Sequence, residues 1–359
     1  MTPREQAEEL REVGEALAGM GLVADGEPFA LMRLAGGVSC DIWRVEAKGR
    51  PPVVVKRALE KLNVAADWRA PPERSGTEVA WIRLVSTVDP RWVPKILGED
   101  RARHMFAMQF LPPQTYPVWK NELAAGRIDI GFGGAAGAAL ARIHGATAGR
   151  ADIADAFAHG AQFQALRLEP YLLFTGERHP PLAMAIRDEA GRLAAARIAL
   201  MQGDISPKNI LCGPDGPVFL DAETACFGDP AFDLAFCLNH FLLKAVWHPE
   251  WSEQYAQAFA AMKTAYLAGR DLGEGARHRP PHGAAAAHAV PRPRRRKVAG
   301  GISDRGRRQV LRTRLRDADD RRAPDQSGRA GQCLFFARGA AIDFLPAVAG
   351  EESHFAGSR

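Results

Sequence analysis

The stretch MQGDISPKNILCGPDGPVFLDAET, Met201 to Thr224, sets Asp204, Lys208 and Asn209 on one short Pro-containing loop and places Asp221 directly after the apolar run PVFL. A loop that only had to reverse the chain could do so with Gly and Pro. Mg²⁺ is a hard cation that takes oxygen ligands at about 2.1 Å in octahedral geometry. A loop of this length can aim the Asn209 amide oxygen at such an ion while the earlier carboxylate, Asp204, faces an attacking hydroxyl. Asp221 can supply a second carboxylate from the other side, and Glu223 points to the same face if the strand continues that far. Any one of these residues is as well explained by capping of turn amides. Asp204, Asn209 and Asp221 together, in this order, are not.

The segment NILCGPDGPVFLDAE predicts a β-hairpin turning at GPDG. Upstream, FALMRLAGGVSCDIWRVEAKGRPPVVVKRAL predicts three strands, joined by a Gly turn and a KGRPP turn and ending near Lys56. SGTEVAWIRLVS predicts a helix capped at Ser75 or Thr77, and WVPKILGED and HMFAMQFL two more strands. Glu5 to Met20 has the apolar spacing of an amphipathic helix, with Gly21 at its end. After PPQTYP, a natural hinge, the pattern turns helical: GGAAGAALARIHGAT, AMAIRDEAGRLAAARIAL and AFDLAFCLNHFLLKAV. A β-rich part followed by a helical part predicts an α+β fold of two lobes. The expected division is an N-terminal helix over 1–25, a β-rich lobe over 26–112 and a helical lobe over 113–275.

The β-rich part holds complementary groups. Gly36–Gly37 allow backbone amides to approach phosphate oxygens closely. Lys56, at the end of an apolar strand, can reach back to the same phosphates. Glu78, in the next predicted helix, can hold its ammonium in place. Each has an ordinary alternative: a structural turn, a snorkelling lysine, a solvated helix carboxylate. His144, near a predicted helix end, is expected to be a buried, hydrogen-bonded residue or a cap rather than a base. Nothing near Cys40 or Cys212 suggests a lowered thiol pKa.

The 359 residues are 47% hydrophobic and 25% charged, ordinary values for a soluble protein. No apolar run approaches the roughly 20 residues that span a bilayer, and MTPREQAEELREVGEAL carries no signal-peptide segment. Five scattered cysteines without a C-x-x-C pair fit a reducing compartment. A cytoplasmic protein with no membrane partner is expected. The net charge of +5 is uneven, because residues 277–329 hold 15 Arg and one Lys against five Asp. The remainder is acidic. Three readings of the basic segment 276–330 stand open: a disordered tail, a nucleic-acid-binding arm, or a reading-frame slip near Ala276. The arm lacks the interleaved aromatic residues that stack on bases, which argues against a nucleic-acid partner. A slip would explain the abrupt Arg, Pro, Ala and Gly richness. Residues 331–359 are left unassigned.

Asp204 and Asn209 have the D-x-x-x-x-N spacing of kinase catalytic loops. With FLDAET and GDPAFDLAF, the QGDISPKN loop resembles the aminoglycoside phosphotransferase and choline kinase-like family of small-molecule kinases, over about residues 28 to 265. The resemblance implies a two-lobed, protein-kinase-like fold that binds ATP with Mg²⁺ between the lobes and phosphorylates a hydroxyl of a small molecule: an aminoglycoside, an amino alcohol or a sugar-like acceptor. It implies Asp204 as the catalytic base, Asn209 and Asp221 as Mg²⁺ ligands, and Lys56 on the α- and β-phosphates with Glu78 as its ion-pair partner. It further implies that the turn Gly36–Ser39, with Gly36, Gly37 and Ser39, covers the phosphates. The backbone from Gln109 to Leu111 would meet adenine, and Asp233 would brace the catalytic loop. The family commonly has His where Gln202 stands, and Ser206 occupies the position where protein kinases carry Lys. Lys208 is expected to face solvent. Cationic acceptors would call for carboxylates, with Glu169, Glu177, Asp188, Glu250 and Glu253 as candidates. A nucleotide-binding pseudokinase acting as an interaction module is the alternative.

Overall fold

The computed structural model describes residues 3–34, 39–61 and 70–269. Gly36, Gly37 and everything expected of the basic segment fall outside the described residues.

Helix α1 (Pro3–Gly19) is followed by strands β1 (Phe29–Arg33), β2 (Cys40–Ala47) and β3 (Val53–Ala58), helix α2 (Arg74–Val88), and strands β4 (Ile96–Asp100) and β5 (Met105–Gln109). Among the described residues the strands form an antiparallel sheet in the order β1-β2-β3-β5-β4. Alternation along β2 buries Trp43 and Val45, and Val55, Met105 and Ala107 join them on the same face. The apolar stripe of α1, Val13, Ala16 and Leu17, covers that face. The N-terminal helix is thus part of the sheet's own core rather than a separate unit.

The other face of the sheet meets α2 through Val79. The far side of α2, Trp81, Ile82 and Val85, belongs to the core of the helical lobe, where Trp81 meets Phe219 edge-on with ring centroids 6.5 Å apart. This helix therefore serves both lobes. It begins one residue before the caps expected at Ser75 or Thr77, which fall inside its first turn. The carbonyls of Pro71, Pro72 and Glu73 already accept from the amides of Arg74, Ser75 and Gly76, so a side-chain cap has nothing left to satisfy.

The chain crosses between lobes after β5, through a turn closed on the Pro112 carbonyl, and a bridge from Val118 to Leu211 fastens it to the second lobe. That lobe comprises α3 (Trp119–Ala124), α4 (Ile130–Thr147), α5 (Ala151–Ala156), α6 (Gly160–Phe163), a π-helix (Gln164–Leu173), α7 (Phe174–Arg178) and α8 (Ala183–Ala195). Strands β6 (Ala199–Met201), β7 (Ile210–Gly213), β8 (Gly216–Phe219) and β9 (Cys226–Gly228) precede helices α9 (Ala231–Trp247) and α10 (Ser252–Gly269). The hairpin expected from NILCGPDGPVFL is β7–β8. AMAIRDEAGRLAAARIAL is not one helix. It stops at Ala195, because Ile198 donates to the Gly228 carbonyl and β6 pairs with β9. Long-range pairing outcompetes local helix preference there. Among the described residues, no helix is long and apolar enough to cross a membrane.

Candidate active site

The loop between β6 and β7 is held from beneath. The Asp233 carboxylate, fully buried in the first turn of α9, accepts from the amides of Gln202 (2.7 Å) and Gly203 (2.8 Å) and meets His144 Nε2 at 3.2 Å. His144 Nδ1 lies 2.9 Å from the Tyr266 hydroxyl, so this histidine is a buried structural brace, as expected. Gly203 has φ +80°, and a Cβ there would come within 2.7 Å of the Thr224 carbonyl oxygen, which reserves the position for glycine.

Asp204 follows, almost fully buried. Its Oδ2 accepts from Asn209 Nδ2 at 2.9 Å and pairs with Arg167 Nη2 and Lys208 Nζ, each at 3.1 Å. Oδ1 takes no partner among the described residues. Asn209 also donates to the Asp204 carbonyl at 3.0 Å, which turns its amide oxygen away from the protein donors. The Gln202 side chain ties the two acidic segments together. Its Oε1 accepts from the Asp204 amide at 2.6 Å, and its Nε2 donates to the carbonyls of Leu220 (2.7 Å) and Asp221 (3.0 Å). The glutamine that stands in place of a family histidine is thus the bridge of the site.

Asp221 has a left-handed backbone, φ +64°, uncommon for a residue with a Cβ and worth about 1 kcal/mol or more of strain. This conformation ends β8 and sends Glu223 elsewhere than the strand extrapolation suggested. The Glu223 carboxylate meets Arg74 Nε at 2.9 Å and Cys40 Sγ at 3.5 Å. Across the cleft, Lys56 Nζ lies 2.6 Å from both Glu78 Oε2 and Asp221 Oδ1. Burial pushes the Glu78 carboxyl up to about 7 despite the lysine beside it. Burial also pushes Asp221 upward, but Lys56, Lys208 and Arg167 outweigh it and hold the group at about 2. Lys56 stays charged, since two carboxylates compensate its burial.

Ser39 follows the undescribed part of its turn, and its carbonyl accepts from Arg74 Nη2 at 2.6 Å. Gln109 closes β5 with its amide on the Lys95 carbonyl, and Leu111 lies half-buried on the crossing segment. Burial raises both thiols, Cys40 strongly and Cys212 to about 12, so neither is a nucleophile.

Sequence reasoning missed two arginines. Arg74, fully buried, also donates to the carbonyls of Leu59 (2.7 Å), Ala70 and Pro71 (both 2.9 Å), joining the β-rich lobe to Glu223 beyond Asp221. Arg167 sits on the π-helix and donates through Nε to the Gly203 carbonyl at 2.7 Å. Nothing in their local sequence distinguishes them from other helix arginines. Lys208, expected in solvent, keeps a half-exposed stem but brings its ammonium to Asp204. The expected acceptor carboxylates Glu169, Glu177, Asp188, Glu250 and Glu253 are all exposed, with Glu250 on His248 and Glu253 on Gln257.

The donor set suits a hard cation. The Asn209 amide oxygen and Asp221 Oδ2 are both left over by the protein's donors, and Asp221 is ionised. Among the described residues no three His, Cys, Asp or Glu side chains form a metal cluster. One carboxylate and one amide, completed by water and phosphate oxygens, is a Mg²⁺-type rather than a zinc-type ligand set.

The family model described as "Phosphotransferase enzyme family" matches residues 30–276. Among solved structures, the chain is similar to a choline/ethanolamine kinase family protein from Mesorhizobium loti, at 15% identity over 73% of this chain and 77% of that one, with a TM-score of 0.44. It is similar to the macrolide 2'-phosphotransferase MphH from Brachybacterium faecium, at 18% identity over 73% and 83%, TM-score 0.43. It is likewise similar to the choline kinase LicA from Streptococcus pneumoniae, at 15% identity over 74% and 94%, TM-score 0.44. No curated protein matches the chain.

Proposed function

The chain belongs to the phosphotransferase enzyme family, and on that footing we propose that it transfers the γ-phosphoryl group of ATP to a hydroxyl of a small molecule. The observation that carries this reading is the Gln202 amide, which joins the Asp204 and Asp221 segments while Lys56 joins Asp221 to Glu78. In the same proposal, the nucleotide lies between a β-rich lobe over 26–112 and a helical lobe over 113–275. The turn Gly36–Ser39 covers its phosphates, and the backbone from Gln109 to Leu111 meets its base.

Phosphoryl transfer asks for in-line positioning and charge neutralisation more than for covalent chemistry. Lys56, oriented by Glu78, binds phosphate oxygens. Asn209 and Asp221 hold Mg²⁺, which neutralises phosphate charge when bound. Asp204 has its Oδ2 fixed by three donors, so Oδ1 is the atom that accepts the hydrogen bond of the incoming hydroxyl. As the new O–P bond forms, the hydroxyl proton passes to Asp204 and the bond to ADP breaks.

The direct test is ADP release from ATP–Mg²⁺ with a panel of alcohol acceptors. Stripping the metal with EDTA is expected to stop release, and added Mg²⁺ to restore it. Full turnover in EDTA would overturn the assignments of Asn209 and Asp221.

A further inference from the structure

Around Asp204, apart from Lys56, basic groups gather from the π-helix, the β6–β7 loop, α9 and α3. Arg167 and Lys208 touch its Oδ2. Helix α9 carries His240 and Lys244 one turn apart. His240 follows Asp233 by seven residues and Lys244 by eleven, so all three share one face. Because Asp233 binds the amides of Gln202 and Gly203, that face runs beside the loop bearing Asp204. Lys120 lies on α3, which packs against the Pro207–Asn209 turn that carries Lys208, and its charge acts on both His240 and Lys244.

The carboxylates that could balance these cations are committed elsewhere. Asp221 holds Lys56 and Glu223 holds Arg74. Asp204 alone meets both Arg167 and Lys208. Lys244 is 7% exposed and Lys120 is exposed, and neither has an acidic partner among the described residues. Two ammonium groups held near each other with no carboxylate between them repel, and a ligand anion relieves that repulsion. Burial together with the surrounding lysines keeps the His240 ring neutral, its pKa pushed down to about 4, as a group standing in a positive field should be.

We propose that the acceptor is an anionic alcohol, bearing a carboxylate or a phosphate monoester that docks against Lys244 and Lys120 while its hydroxyl meets Asp204. This rests on the phosphotransferase reading above. In the reaction the acceptor hydroxyl oxygen bonds to the γ-phosphorus. The bridging bond breaks with its electron pair going to the ADP β-phosphate, and the hydroxyl proton leaves through Asp204. Cationic amino alcohols and aminoglycosides meet repulsion at the same place.

The test measures ADP release by the full chain with ATP–Mg²⁺ and four probe sets: the hydroxycarboxylates glycerate and 4-hydroxybutyrate, the phosphate-bearing glycerol 3-phosphate, the cations choline and kanamycin, and neutral glucose. Turnover is expected with one of the first two sets, which tells carboxylate from phosphate. Lys244→Met should raise the acceptor KM by about tenfold or more, as loss of a charge that pairs with the ligand does, while the KM for ATP stays within about twofold. Lys244→Arg should recover most of that loss. Turnover with cationic or neutral probes only overturns the anionic acceptor and leaves the phosphotransferase standing. No ADP release with any probe overturns both. An acceptor KM unmoved by Lys244→Met overturns the docking site.

Discussion

Asp204 is oriented rather than merely present. Three donors converge on one of its oxygens, and the backbone beneath it hangs from Asp233. Asp204→Asn keeps the shape but removes the charge that Arg167 and Lys208 neutralise. Turnover should fall by about a thousandfold, within the range for loss of a group acting in proton transfer, with the melting temperature shifted by only a few degrees. ADP-release kinetics paired with a thermal melt checks both halves, and turnover within a factor of a few of wild type would remove Asp204 from its role. The sequence made this residue visible, because spacing within a loop is local information. Arg167 was invisible, since it reaches Asp204 across 37 residues of chain through a π-helix that no short-range pattern announces. Such helices are rare and often lie at functional positions.

Helix packing explains how the loop is kept level. Helix α4 carries His144 at one end and packs against α10, where Tyr266 receives it. The glycine-rich start of α4 allows a close crossing: a Cβ on Gly133 would lie 3.1 Å from the Ala258 carbonyl oxygen, and one on Gly137 would collide with the carbonyl of Met262. Gly137→Ala should therefore destabilise the protein by about 1–3 kcal/mol despite alanine's better helix propensity. At this size that lowers the melting temperature by about 2–4 °C for each kcal/mol. A rise in melting temperature would show that the helices separate freely. Sequence periodicity located α4, α9 and β7–β8 well, because each buries one face in its own repeat. The end of α8 escaped it, because the segment entering β6 has helical composition and only the pairing with β9 makes it a strand.

The two lobes are joined by ions as well as by α2. Arg74 draws the entry to β2 at Ser39 and the exit from β3 at Leu59 onto Glu223 of the other lobe, and Lys56 reaches Asp221 just before it. Arg74→Met leaves Glu223 buried without its partner and should cost about 3–5 kcal/mol, seen as a lower denaturant midpoint. A loss below about 1 kcal/mol would mean the link is slack. Acid should weaken the molecule in a defined window. His240 is held neutral when folded, its pKa lowered from 6.5 to about 4, so the unfolded chain binds its proton first. Its contribution is whole above pH 6.5, declines as pH falls toward about 4 and then levels off, by about 3 kcal/mol in all. His240→Gln should flatten that part of the stability–pH curve, and an unchanged slope would place the proton uptake elsewhere. The α+β order, most element positions and the choice of Asp204, Asn209 and Asp221 as candidates came from the sequence alone, because turn chemistry, apolar period and loop spacing act over a few residues. The Glu223–Arg74 link, the bridging role of Gln202 and the cations beside Asp204 were decided only by the tertiary structure. Charges tens to more than a hundred residues apart interact according to distance in space, which no local pattern encodes.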